Sequence, residues 1–455
     1  MANNNLAAIP ELWAREGLLF LTNNAVAAMA VNREYSGELA RFGSTVNAYR
    51  ANARKIRRKT GDDSFTAADA VLTAVPVVMD MWIYDTIVIK DDELSKALPD
   101  LTKLHLPAMM GNIMDSLERS ILGRIHGYLQ QGSPSLRAGK LKGMTKVNSG
   151  DYILEAQEIL HTNKAPAGVK TAIVHQSAQT LLQGNELFAR ADARGSANTL
   201  LTGEIGQIYN TRVLMSQNVN KINPLTADTQ ASTTTEPRAA GFAGTHAITD
   251  PGTNVTAGEF FVFEENGQPT YATTGGSTTI VLNEALKYAI LDDSAATHYL
   301  KCVNEATERV AGYQKEMLFT HTSGKNLQVG QLLAFGTSSR HTYTIIEATN
   351  ASATTTSVLL DRPLDATVAS AADAFPGPAG AFNPVFDPNA ITLVTRPLYQ
   401  PASEFGVQSR VFDYKGIGLR VTTQYRADLG GLWVNIDLLA GVSILNTGLM
   451  VAMLS

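Results

Sequence analysis

The residues of this 455-residue chain that could do chemistry form no catalytic pattern. There is no GxxxxGKS/T phosphate loop, no HExxH or CxxC metal motif, and no GxSxG nucleophile elbow. Gly275-Gly276 and Gly430-Gly431 do not precede helical sequence, so neither pair cradles a phosphate. The eight histidines are scattered. His298 and Cys302, four apart, could share a helix face, but two ligands do not make a zinc site. No metal or other cofactor is expected. Serine, histidine and acid residues are all present, as in any chain this long, with nothing to set a triad apart. The acid pairs Asp62-Asp63, Asp91-Asp92 and Asp292-Asp293 lie in polar turns and read as solvated surface.

One cluster is informative, and it is basic. Arg50, Arg54, Lys55, Arg57, Arg58 and Lys59 fall within ten residues that hold no acidic side chain. A solvated loop would account for them. A nucleic-acid patch would normally interleave aromatic side chains for stacking, and none is present. A clamp between subunits is the third reading, because an acidic run follows: Asp80, Asp85, Asp91, Asp92 and Glu93. In a ring of identical chains the basic segment of one could meet the acidic run of the next, which steers association and sets register more than it adds affinity.

Composition bounds the rest. Apolar residues make up 44% of the chain, enough for a sizeable core in about two to four structural units. Charged residues are only 17%, below the roughly 25% usual for globular proteins. Copies of the chain burying much of one another's outside would explain that. A net charge of −5 argues against broad, tight binding to nucleic acid. A single cysteine, Cys302, excludes an intramolecular disulfide and suits a reducing cytoplasm. No apolar run reaches the roughly 20 residues of a membrane helix, and no secretory signal opens the chain.

The elements that would position the basic cluster are strands. Pro10 to Met29 reads as an amphipathic N-terminal helix with Leu12, Trp13, Leu19 and Phe20 on its apolar face, either packed at home or acting as an arm on a neighbour. Ser44–Tyr49 and Val71–Val78 form a long two-stranded hairpin that carries the cluster at its tip, with Pro76 restricting the return strand to an edge. Trp82–Ile89 is a further strand. Pro107–Leu129 is the clearest helix, with Met110, Ile113, Met114, Leu117, Ile121, Ile125 and Tyr128 in one stripe and Asp115 a turn from Arg119. Shorter helices are expected over Asp151–Leu160 and Gln179–Phe188, with strands over Ala172–His175 and Ile208–Leu214. From Asn220 to about Pro384 the texture turns Thr-, Ala- and Gly-rich, with strands at Gln331–Phe335, Thr342–Glu347 and Ser357–Leu360; this reads as an inserted small β-barrel or sandwich, with Leu300–Met317 open between helix and strand. Ala390–Thr395, Gly418–Tyr425 and Leu432–Leu439 are strands, the last two joined by a turn through Asp428, Gly430 and Gly431. Gly448–Leu454 is an apolar strand that must be buried in a sheet.

In this order the elements resemble tailed-phage major capsid proteins of the Hong-Kong-97-type fold. IPELWAREGLLFL looks like the start of the family's N-arm. FGSTVNAYR, the basic stretch and VVMDMWIYDTIVIKDDE look like its extended loop. MMGNIMDSLERSILGRIHG resembles its spine helix, and KGIGLRVTTQYRADLGGLWVNIDLLAGVSILNTGLMVAML resembles the close of many such coat proteins. An inserted β-domain resembles the short-tailed phage coat proteins. The resemblance implies an α+β subunit with an N-arm (1–40), an extended β-hairpin loop (41–90), a peripheral domain with the spine helix (91–150, with strands from about 415–440), an axial domain (151–220 and 385–455) and an inserted mainly-β domain (221–384). It implies self-assembly through hexamers and pentamers into an icosahedral head, with a scaffolding protein, a portal, a decoration protein in some relatives, and weak non-specific contact with packaged double-stranded DNA. The product would be a virion shell assembled in the host cytoplasm. Some relatives cross-link through lysine and asparagine. Lys55 and Lys59 lie in the corresponding loop, but no asparagine partner can be placed and no cross-link is expected.

Two other readings remain at this point. An encapsulin-like compartment shell would share the fold and enclose protein cargo; the N-arm and the insertion argue against it. A carbohydrate-binding protein or an enzyme could use the Thr-rich insertion as its binding module.

Overall fold

The computed structural model describes residues 26–35, 45–51, 56, 58–59, 61, 72–91, 101–124, 136–186, 206–222, 229–249, 251–336, 340–401, 407–414 and 417–455. Among these residues the chain is mainly β with few helices, arranged as four sheet systems and one separate hairpin.

The first sheet has five antiparallel strands. Its centre is the 14-residue strand Gly431–Ile444. Ile417–Arg426 and Ile391–Arg396 pair with successive lengths of it, and Gln408–Tyr414 continues beyond Ile417–Arg426. Met81–Lys90 pairs with it from Met81↔Ala440 to Lys90↔Gly431. The turn through Asp428 works as its residue types require, with Gly430 at φ +55°. The helix Leu101–Arg124 packs on one face of this sheet. Met110, Ile113, Leu117 and Ile121 are buried in one core with Val434, Ile436 and Leu438. Over these positions the stripe is the one its 3.6-residue spacing predicts; Ile125 and Tyr128, also expected in it, lie outside the described residues. The helix begins six residues before Pro107, not at it. Proline removes the backbone bond to the carbonyl of Lys103, a single loss that burial of the stripe outweighs.

The second sheet has seven strands and mixed direction. The terminal strand Met450–Leu454 lies between Gly380–Phe386 and Arg137–Ala138, antiparallel to the first and parallel to the second. Lys170–Val174 and Thr211–Met215 run parallel beyond it. The helices Ser149–Thr162 and Gln176–Gln183 cover it through Ile153, Ala156, Leu160, Ala178 and Leu182.

Between Lys221–Ile222 and Gly380–Phe386 the chain leaves this sheet and returns. The two ends pair with each other, Ile222 opposite Gly380 and Lys221 opposite Ala381. The excursion builds two β-units where one was expected. Strands within 229–299 form a six-stranded antiparallel sheet, and strands within 302–376 close into a six-stranded barrel. Each has its own apolar cluster, around Phe261, Phe263 and Ile280 in the sheet and around Phe319, Tyr343 and Ile345 in the barrel. The Thr-rich stretches form strands because β-branched threonine suits the pleated backbone. Leu300–Met317 resolves to strand at Cys302–Asn304 and again from Met317. The expected boundary at Pro384 falls inside the strand Gly380–Phe386.

Candidate functional site

The two strands that flank the basic cluster pair only with each other among the described residues and join none of the four sheet systems. Thr45–Ala51 and Leu72–Val78 pair in register from Thr45↔Val78 to Ala51↔Leu72. Among the described residues no third strand joins either edge. Pro76, opposite Asn47, has no N–H to offer a further strand.

The root of the hairpin rests on the five-stranded sheet. Ala48, Val77 and Met79 are buried against Val394, with Tyr35, Leu439 and Leu445 packed around them. Ser443 Oγ donates to the Pro76 carbonyl at 3.3 Å. Gly441 permits this approach, since a Cβ there would lie 2.1 Å from the Val78 carbonyl oxygen. Away from the root the apolar side chains are open, Tyr49 67% and Leu72 60% exposed, and at the root itself Val78 is 40% exposed. At the far end Ile56, Arg58, Lys59 and Gly61 are exposed. Arg50 lies in the first strand. Arg54, Lys55 and Arg57 fall outside the described residues, as do Leu12, Trp13, Leu19 and Phe20 of the expected N-arm and the acids Asp92 and Glu93.

The acids expected to answer this cluster are spread along one edge rather than gathered. Asp80 sits at the hairpin root, 3.7 Å from Arg124 at the end of the long helix. Burial pushes the Asp80 carboxyl pKa up, and the Arg124 guanidinium opposes that shift. Asp85 accepts a hydrogen bond from Asn112 Nδ2 at 3.0 Å. Asp91 accepts one from the Tyr425 hydroxyl at 2.6 Å. The ten residues Met81–Lys90 lie between Asp80 and Asp91, so at the usual strand rise the two are about 36 Å apart.

Beside this edge runs a groove of about 1780 Å³, walled by the five-stranded sheet, the long helix and the barrel. Trp82, Tyr84 and Asp85 lie along one side, Asp115 and Arg119 on the helix, and Glu316 and Glu347 on the barrel. Asp115 and Arg119 approach to 3.9 Å, the pair their spacing predicts. On the sheet beside them Thr86 donates to Asn435, Asn435 to Asp437, and Arg420 donates Nε–H to Asp437 Oδ1 at 2.9 Å and its Nη1–H to the Tyr399 carbonyl. This polar chain fixes strand register across the sheet.

The other groups with chemical potential are occupied structurally. His298 and Cys302 belong to strands, not a helix. Buried His298 meets buried Glu259 at 2.6 Å, and Glu259 also accepts the Thr256 and Lys301 amides. The Cys302 thiol is buried and donates to the Ala374 carbonyl. Among the described residues no three His, Cys, Asp or Glu side chains converge as metal ligands. Nor is any described helix long and apolar enough to cross a membrane.

Two buried charges had no visible sequence signal. Glu118, on the long helix, accepts the backbone N–H groups of Val26 and Ala27 at the start of the short helix Val26–Ala30, and the Ser216 hydroxyl at 2.8 Å. Arg340 lies 4.5 Å from the Phe260 ring, 4.1 Å from Tyr271 and 5.4 Å from Phe375, and donates to the Gly258 carbonyl at 2.6 Å. It joins the two inserted β-units by cation–π contact. Burial lowers its pKa to about 9. Both are acid or base residues whose partners lie far away in the chain, which no local spacing can reveal.

No protein-family model matches the chain, and no curated protein matches it. Solved structures do. A structure from Mycobacterium phage Che8 is 11% identical, with 94% of this chain and 91% of that one covered and a TM-score of 0.45. The capsid of cyanophage P-SCSP1u is 9% identical over 91% and 84%, with a TM-score of 0.44. The mature capsid of bacteriophage PhiM1 is 9% identical over 90% and 82%, with a TM-score of 0.39.

Proposed function

We propose that this chain is the major capsid protein of a tailed phage, a subunit with no catalytic role that assembles with its own copies into a closed head around double-stranded DNA. The observation that carries the reading is the hairpin Thr45–Val78. It has no third strand among the described residues, and its open side chains include Tyr49 and Leu72. Two strands alone are marginal in water. A surface on a second copy would supply the missing cover. Identical subunits repeat that contact by symmetry, so individually weak interfaces add up to a stable shell.

The order of elements supports a Hong-Kong-97-type subunit. Here the hairpin is the extended loop. The helix Leu101–Arg124 is the spine of a peripheral domain on the five-stranded sheet, and the seven-stranded sheet is the axial domain that carries the insertion. Residues 1–40 would be the N-arm, docking through Leu12, Trp13, Leu19 and Phe20. The cations Arg50, Arg54, Lys55, Arg57, Arg58 and Lys59 would engage carboxylates of a neighbour, with Asp85, Asp91, Asp92 and Glu93 as acceptors. Asp80, held beside Arg124, is less free to take part. A scaffolding protein and a portal would direct assembly in the host cytoplasm. The net charge of −5 fits DNA held by confinement rather than by tight binding.

Electron microscopy and size-exclusion chromatography of the purified chain, alone and with its scaffolding protein, test this. Closed shells of uniform diameter are expected. A monomer at micromolar concentration, with no particles at any ionic strength, would overturn it.

A further inference from the structure

The inserted barrel does not hang free of the body: it meets the end of the long helix where that helix meets the hairpin root. Arg119 donates to the Ile346 carbonyl of the barrel at 2.9 Å. One turn on, Gly123 lets the barrel strand come close; a Cβ there would stand 2.9 Å from Asp361 Cβ. Asp361 is fully buried, accepting the Thr344 amide at 2.8 Å and the Arg362 guanidinium at 3.1 Å. Arg362 in turn reaches Asp365 and lies 4.3 Å from the Tyr343 ring. Arg124 follows Gly123 in the chain, and its guanidinium lies 3.7 Å from Asp80 at the hairpin root.

We propose that the barrel is a strut that sets the direction of the hairpin, with Asp361, Arg124 and Asp80 as its positioning residues. Asp361, rigidly anchored within the barrel, seats the end of the helix at Gly123, and Arg124, the next residue, holds the two-residue joint Met79–Asp80 from which the hairpin projects. Neither end of the link is fully satisfied. Asp80 Oδ1 and Arg124 Nε are buried without a hydrogen-bond partner, and burial lowers the Arg124 pKa while the Asp361 carboxylate opposes that most strongly. An under-satisfied link of this kind holds an orientation without contributing much stability. The long helix and the hairpin root thus share one fastening to the insertion, which gives the insertion a part in the geometry of assembly.

This proposal rests on the shell reading, and its test separates the two. Hydrogen exchange at the amides of Leu72–Val78 would be measured on unassembled full-length chain for Asp80→Asn, Arg124→Gln, Arg124→Lys and Gly123→Ala. Asp80→Asn and Arg124→Gln are expected to raise exchange there about tenfold while the barrel keeps its protection; Arg124→Lys, which retains the charge, stays near wild type. Gly123→Ala touches no hairpin residue and is expected to raise hairpin exchange too, by moving the barrel. In assembly, the first two variants are expected to give particles of mixed size and curvature. Unchanged hairpin exchange in all four, with uniform particles, would overturn the strut. If wild type forms no shell at all, the shell reading falls, and the exchange result still decides the strut.

Discussion

The outer hairpin and the terminal strand are both short apolar β-segments, and they meet opposite fates. Every residue of Met450–Leu454 is buried, none more than 1% exposed, because strands pair with it on both sides and helices cover the sheet. Along Thr45–Val78 only Ala48 and Val77 are buried among the described side chains, and Tyr49 and Leu72 face outward. Position within the architecture makes the difference, not composition. The terminal strand completes a sheet inside one chain. The hairpin presents a sheet that one chain leaves incomplete. Mutations in the first should therefore be felt by the monomer, and mutations in the second by the assembly.

The largest expected effect is a charge in the terminal strand. Met453→Asp buries an unpaired carboxylate inside the seven-stranded sheet and should cost about 4 kcal/mol or more. Urea unfolding would register it; a variant as stable as wild type would break the comparison. Next comes acid. His246 is buried with neither ring nitrogen hydrogen-bonded, and burial, aided by nearby Arg238, lowers its pKa to about 4. The unfolded chain, with a pKa near 6.5, takes the proton first. Stability is therefore fully present above about pH 6.5 and falls as pH drops toward 4, by up to about 3 kcal/mol. His246→Phe should flatten that slope in pH-dependent melting.

Smaller for the monomer, and decisive for the shell, are changes on the hairpin. Tyr49→Ser with Leu72→Ser should change monomer stability by less than about 0.5 kcal/mol and yet prevent particle formation. A large loss of monomer stability would mean that the chain covers its own hairpin. Least of all for the folded chain is reversal of Arg54, Lys55, Arg57 and Arg58 to glutamate. Circular dichroism should be unchanged, with closed shells absent by microscopy. Normal shells would remove the clamp.

Much of the fold was legible because period is local. The stripe of the long helix, the two strands of the hairpin, the turn at Gly430 and the burial of the last strand all follow from residue types within a few positions. Less of the candidate site was legible. Its cations lie together in sequence, but the acids beside Asp85 form a spaced row only because Met81–Lys90 is extended along Gly431–Ile444, some 350 residues away. The division of the insertion into two units was hidden because strand patterns do not say which strands close on one another. The start of the long helix was misplaced because proline is a local stop signal that long-range burial can override.

The sequence by itself determined the long helix, the two strands of the hairpin and the cluster of cations between them, and that the final strand belongs inside. Only the tertiary structure decided that the insertion is a sheet and a barrel, that Met81–Lys90 belongs to the body, and that Asp361 meets Gly123 beside the Arg124–Asp80 pair. The reason is physical: periodicity is written by neighbours in the chain, whereas partners are chosen by burial and charge among residues that meet only once the chain has folded.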